Sequence, residues 1–151
     1  MATVTVQAAD IDLAAEVAGL RNGRADIGAI VTFTGLCRDD GGTLAALDIE
    51  HYPGMAEAEI LRVAEEAERR WPLHLCRAVH RYGSIRPGET IVFVATAAAH
   101  RAQAFAAAEF LMDYLKTEAP FWKRNRTLDG RATDWVAPKV TDDDAARRWL
   151  P

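Results

Sequence analysis

Lysine is scarce in this chain of 151 residues. Lys116, Lys123 and Lys139 are the only three among 18 basic side chains, and the rest are arginine. Cysteine is scarcer still. Cys37 and Cys76 form neither a CxxC pair nor a metal-like cluster, so no metal site is expected. No apolar run reaches the roughly 20 residues that span a bilayer. The opening MATVTVQAAD has neither a basic n-region nor an apolar h-region. A cytoplasmic protein with reduced thiols is therefore expected. A net charge of -4 excludes the broad basic field that nucleic acid or a membrane surface requires. Repeats, low-complexity runs and linker-like stretches are missing too, so one domain over residues 1–151 is expected.

Half of the residues are hydrophobic and 26% are charged, a balance that supports a sizeable core. The charge is uneven. Glutamates crowd residues 57–68, whereas 121–131 carries Lys123, Arg124, Arg126 and Arg131 against Asp129 alone. An acidic chain with one basic patch suits a small anionic ligand or an acidic tail of a partner protein.

Alternation of β-branched residues predicts a strand over 3–7, and Asp10 or Asp12 caps a helix to about Leu20, closed by Asn22-Gly23. The segment 28–38, GAIVTFTGLCR, is a strand with Val31, Phe33, Gly35 and Cys37 on one face. Asp39-Asp40-Gly41-Gly42 is a loop, and 44–51 is the next strand. A helix follows Pro53-Gly54 to about Trp71, with Ile60, Val63, Ala64, Ala67 and Trp71 as its apolar stripe. Residues 74–83 and 89–99 read as strands around Arg86-Pro87-Gly88. The second is apolar on both faces and so central. A helix over 100–117 is stopped by Pro120. A hairpin of 121–127 and 132–136 and a helix over 142–149 complete an α+β arrangement with a mostly antiparallel sheet.

Lys116 and Lys123 flank the corner Pro120-Phe121-Trp122. Lysine shifts its pKa when desolvated and acts as acid, base or nucleophile, which arginine does not. The ordinary alternative is two cations at a helix end, where the helix dipole favours them. His100-Arg101 opens a helix directly after a central strand, a place suited to an anion; the alternative is a capping histidine beside a surface arginine. Sixteen residues of helix separate His100 from Lys116 by roughly 24 Å, too far to share a small pocket within one chain. Arg38 ends a strand before a loop, where it grips a ligand or pairs with Asp39 or Asp40. Cys37 falls in line with Val31 and Phe33 and reads as a buried small hydrophobe rather than a nucleophile. His51, His74 and His80 are scattered without metal spacing.

GAIVTFTGLCR, LDIEHYPGM, RWPL, HRYGSIRPGETIVFVATAAAHR, FLMDYLKTEAPFWKR and DWVAPK together resemble the large, catalytic subunit of molybdopterin synthase, from about residue 4 to 149. The resemblance implies an α/β-hammerhead fold with a small additional antiparallel subdomain. It implies sulfur transfer that converts cyclic pyranopterin monophosphate to molybdopterin, with no cofactor. The sulfur arrives as a thiocarboxylate on the C-terminal Gly-Gly of a small ubiquitin-like subunit, in a heterotetramer built on a homodimer of large subunits. Lys116 and Lys123 match the family's pocket lysines. Arg38, His100, Arg101 and, more weakly, Lys139 match its substrate-binding positions, with the His-Arg pair coming from the neighbouring subunit. The loop after Arg38 is shorter and more acidic than is usual there. The sequence ends Trp149-Leu150-Pro151, without Gly-Gly, so the chain is not expected to be the sulfur carrier itself. Two other readings are a non-catalytic module that binds a Gly-Gly tail, and a sulfurtransferase that carries a persulfide on Cys37.

Overall fold

The computed structural model describes residues 1–21, 23–39, 41–137 and 139–151. Asn22 of the expected helix stop and Asp40 of the acidic loop lie outside the described residues. The elements run β1 (Ala2–Gln7), α1 (Leu13–Gly19), β2 (Ala29–Leu36), β3 (Leu44–His51), α2 (Met55–Arg70), β4 (Leu73–Arg81), β5 (Gly83–Ile85), β6 (Thr90–Ala98), α3 (Arg101–Thr117), β7 (Phe121–Thr127) and α4 (Val140–Arg147). The fold is α+β, as the pattern of the sequence predicts.

Two sheets form. The larger has the order β1-β4-β6-β2, with β1 parallel to β4 and the other pairs antiparallel. Its β6, TIVFVATAA, is almost wholly buried and has neighbours on both sides, which is why it shows no polar face. The smaller sheet, β5-β3-β7, is antiparallel.

The main core lies where α2 and α3 cover the larger sheet. Ile60, Val63, Ala64 and Ala67 of α2 meet Ala107, Phe110, Leu111 and Leu115 of α3 and Val92 and Val94 of β6. Alanine at the contact positions lets the helices approach closely, and Phe110 and Trp71 fill the remaining space edge to face. Cys37, Ile49 and Ile85 form a smaller cluster where the two sheets meet. On the wet side of α2, Glu66 pairs with both Arg69 and Arg70.

Two expected elements differ. The expected strand 74–83 is two strands, because Gly83 adopts φ 91°, a left-handed conformation that turns the chain from one sheet to the other. The expected strand 132–136 is an irregular return. It makes one bridge, Arg126 to Ala132, then bonds from the Thr133 N–H to the Asn125 carbonyl and from the Val136 N–H to the Lys123 carbonyl. Helix α4 is tied down by its end. Trp149 Nε1 and Arg148 both donate to Asp113 Oδ2 of α3, at 2.6 and 2.9 Å.

Candidate active site

Helix α3 ends after Thr117, and its last turn carries Lys116 outward. The chain turns through Pro120 and enters β7, where Phe121 and Lys123 fall on the same face two residues apart. Cross-strand pairing with β3 sets Lys123 opposite Ile49. The chain then returns through the Val136–Lys123 bond to Lys139, the N-cap residue of α4. These turns bring all three lysines of the sequence to one cleft of about 140 Å³, which Phe121, Val136 and Asp142 also line. Behind it lies a narrower cavity of about 60 Å³. Lys116 and Lys123 reach it too, with Phe33 and Gly35 of β2, Met112 of α3 and His80 of β4.

A larger cleft of about 250 Å³ separates α2, α3 and the C-terminus. Its arginines, Arg62 and Arg70, are already paired with Glu59 and Glu66, so its size does not make it the reactive site.

The electrostatics single out Lys123. Burial, and then the positive charge of Lys116, push its pKa from an ordinary 10.5 down to about 8, with Asp142 opposing. An amine in this range gives and takes protons near neutral pH. His80 is buried, and its pKa falls to about 3, through desolvation first and then the charges of Lys123 and Lys116. Its ring stacks on Phe121, with centroids 3.9 Å apart and planes 14° apart. Spacing gave no sign of His80, because strand β4 is distant in sequence from both lysines.

The depressed pKa of Lys123 gives a pH prediction with a defined sign. The free amine accumulates above pH about 8, so a reaction that uses Lys123 as a base gains rate as pH rises from 7 to 9. Lys123→Arg keeps the charge but cannot release its proton. It is expected to lose that rise and about 100-fold or more in rate at pH 8. A pH–rate profile of both proteins checks this; equal profiles would remove the base role. Fold stability follows the same sign. The unfolded lysine holds its proton up to about 10.5 and the folded one to about 8, so stability grows with pH between these values.

The other expected site residues lie elsewhere. Arg38 is exposed two residues beyond Leu36, which lines the narrow cavity. His100 and Arg101 are exposed at the start of α3. His100 is the N-cap and makes no side-chain capping bond, so it is not held there by that role. The helix is unbroken to Thr117, which keeps this pair at the far end from Lys116. Cys37 is 4% exposed, its pKa is raised chiefly by burial, and its Sγ faces the Ile85 carbonyl at 3.7 Å. A thiol in this state is a poor nucleophile.

A family model described as "MoaE protein" matches residues 6–118, a span that includes Arg38, His100, Arg101 and Lys116 but stops before Lys123. Over 147 residues the chain is 60% identical to the molybdopterin synthase catalytic subunit of Mesorhizobium japonicum, covering 97% of this chain and 92% of that one. A solved MoaE protein from Burkholderia ambifaria superposes with a TM-score of 0.84 at 52% identity, covering 99% of this chain and 98% of that chain. The molybdopterin synthase structure from Staphylococcus aureus matches with a TM-score of 0.77 at 27% identity, over 88% of this chain and 96% of that chain.

Proposed function

The chain belongs to the MoaE protein family, and from that premise we propose that it is the catalytic subunit of a molybdopterin synthase, which builds a dithiolene on a cyclic pyranopterin monophosphate. One observation carries the reading: Lys116 and Lys123 converge on a single cleft, and the ammonium of Lys123 is desolvated there.

The chemistry asks for such a cleft. A phosphate-bearing pterin and a thiocarboxylate tail are both anions, and their approach needs cations already in place. The tail belongs to a small ubiquitin-like subunit ending in Gly-Gly. Its sulfur attacks an oxygen-bearing carbon of the pterin: the carbon–sulfur bond forms as that carbon–oxygen bond breaks, the oxygen takes up a proton as it leaves, and the tail stays joined as a thioester. Water then adds to the acyl carbon, the acyl–sulfur bond breaks, and the tail leaves as a carboxylate with the sulfur kept on the pterin. A second tail supplies the second sulfur.

Lys116 stands nearest the acyl carbon and offsets the negative charge that grows on its oxygen. Lys123, as the free amine, accepts the proton of the attacking water. Arg38, Lys139, and His100 with Arg101 of a second copy hold the phosphate and pterin; arginine does this bidentately.

The test is to mix the protein with thiocarboxylated small subunit and the cyclic pterin and to assay dithiolene product. A tail that binds but keeps its sulfur in the presence of pterin would establish a binding module instead. Cys37→Ala is expected to turn over within about twofold of the unmodified chain, as a buried thiol outside the reaction should. A loss of sulfur transfer in that variant would point to a persulfide route.

A further inference from the structure

His80 has no part in the reading above, yet it is the buried polar group closest in setting to the two lysines. It sits on β4 and is 3% exposed. Its Nδ1 lies 2.8 Å from the Arg81 carbonyl, which can only accept, so Nδ1 carries the proton. The ring is neutral, and Nε2 is its lone-pair nitrogen. One face of the ring stacks on Phe121, the first residue of β7, and the residue lines the narrow cavity together with Lys116 and Lys123. His51 of β3 approaches Phe121 as well, at 6.2 Å between centroids, and Tyr82 at 4.2 Å.

We propose that His80 is a positioning residue for Lys123: by stacking under Phe121 it fixes the start of β7 and gives the two lysines a dry, uncharged floor. Phe121 and Lys123 share a face of one strand, so a ring that holds the first holds the direction of the second. A neutral ring is what this place requires. A permanent cation under two lysines would add a third positive charge to the narrow cavity, and a carboxylate would pair with Lys123 and keep it protonated.

Strands β2 and β6 bring only apolar residues to this spot, so its charged and titratable neighbours among the described residues come from four other elements. They are Lys116 of α3, Lys123 of β7, His51 of β3 and Asp142 of α4. Among the described residues, Asp142 is the one that opposes the desolvation of Lys123, and it lines the cleft with that lysine. His80 closes the inner side.

This inference rests on the catalytic role given to Lys123, and its test is read without the reaction. The rate at which a small amine-acylating reagent labels Lys123 is followed from pH 6 to 11 by peptide mass spectrometry. In the unmodified chain the midpoint is expected near pH 8. His80→Leu keeps the volume and burial but loses the planar stack, and the midpoint is expected to climb by roughly one unit as water reaches the amine. His80→Phe keeps the stack and is expected to restore it to within a few tenths. A midpoint unchanged in His80→Leu overturns the proposal, as does His80→Phe moving as far as His80→Leu. Where His80→Leu does not fold, as judged by its melting transition, Phe121→Leu breaks the same stack from the cleft side and must move the midpoint likewise. Dithiolene formation is measured alongside. A kcat lowered at unchanged KM for the small subunit accompanies the shift if Lys123 is the base. A shifted midpoint with unchanged kcat would support the placement and remove Lys123 from the reaction.

Discussion

With Lys116 replaced by alanine, dithiolene formation falls by roughly 100- to 1,000-fold, the range for removing one preorganised group that stabilises developing charge. The melting temperature and the affinity for the small subunit change far less. Lys116 is exposed at the last turn of α3 and contributes nothing to the core, so its loss is chemical rather than structural. Its removal also has an indirect effect with a definite direction. The Lys116 charge is the second cause, after burial, of the low pKa of Lys123. Without it, Lys123 holds its proton to higher pH, and the residual activity should rise later on the pH axis than in the parent. Single-turnover assays at several pH values separate the two effects. Full activity of the variant would sink the site assignment.

A mixture of two inactive variants regains activity. Lys116→Ala and Arg101→Ala should each be crippled, and each leaves the other end of α3 intact. The unbroken helix holds these ends roughly 24 Å apart. A pocket of the size seen here cannot span that distance within one chain. If Arg101 serves the lysines of a second copy, a mixed dimer contains one fully intact site and one doubly damaged site. Random exchange of equal amounts makes half of the dimers mixed, so about a quarter of the parental activity returns in a symmetric assembly. Activity that remains at the level of the separate variants after exchange would show that the two ends do not cooperate across copies.

Much of this fold is legible in the sequence, for reasons that differ by element. Strand β3 is bounded as the pattern indicates, because Gly41-Gly42 and Pro53-Gly54 punctuate it on both sides. Helix α3 ends where Pro120 requires, and its alanine-rich face is the buried one. The scarcity of lysine drew attention to Lys116 and Lys123 at one corner; that Lys139 lines the same cleft follows from the return after β7, which sequence spacing does not show. Other features depend on partners that sequence order does not reveal. Strand β5 is three residues long, too short to show a period, and exists because Gly83 redirects the chain. The segment 132–136 alternates like a strand, but its bonds to Asn125 and Lys123 suffice without regular pairing. His80 looked isolated because its neighbours, Phe121 and Lys123, arrive from another sheet.

The irregular return after β7 carries a further consequence, for how the cleft chooses its guest. An open strand edge offers a row of backbone donors and acceptors to any extended peptide, whatever its side chains. Beside Lys123 that row is taken: the Val136 N–H fills the Lys123 carbonyl at 2.6 Å, and Thr133 satisfies Asn125 through both its N–H and its hydroxyl. In the proposed reaction, main-chain pairing at Asn125 and at the Lys123 carbonyl is therefore closed to the tail. Recognition in that reaction then falls to the charge at its tip and to the slenderness that lets it pass Phe121, a demand for selectivity rather than for stickiness.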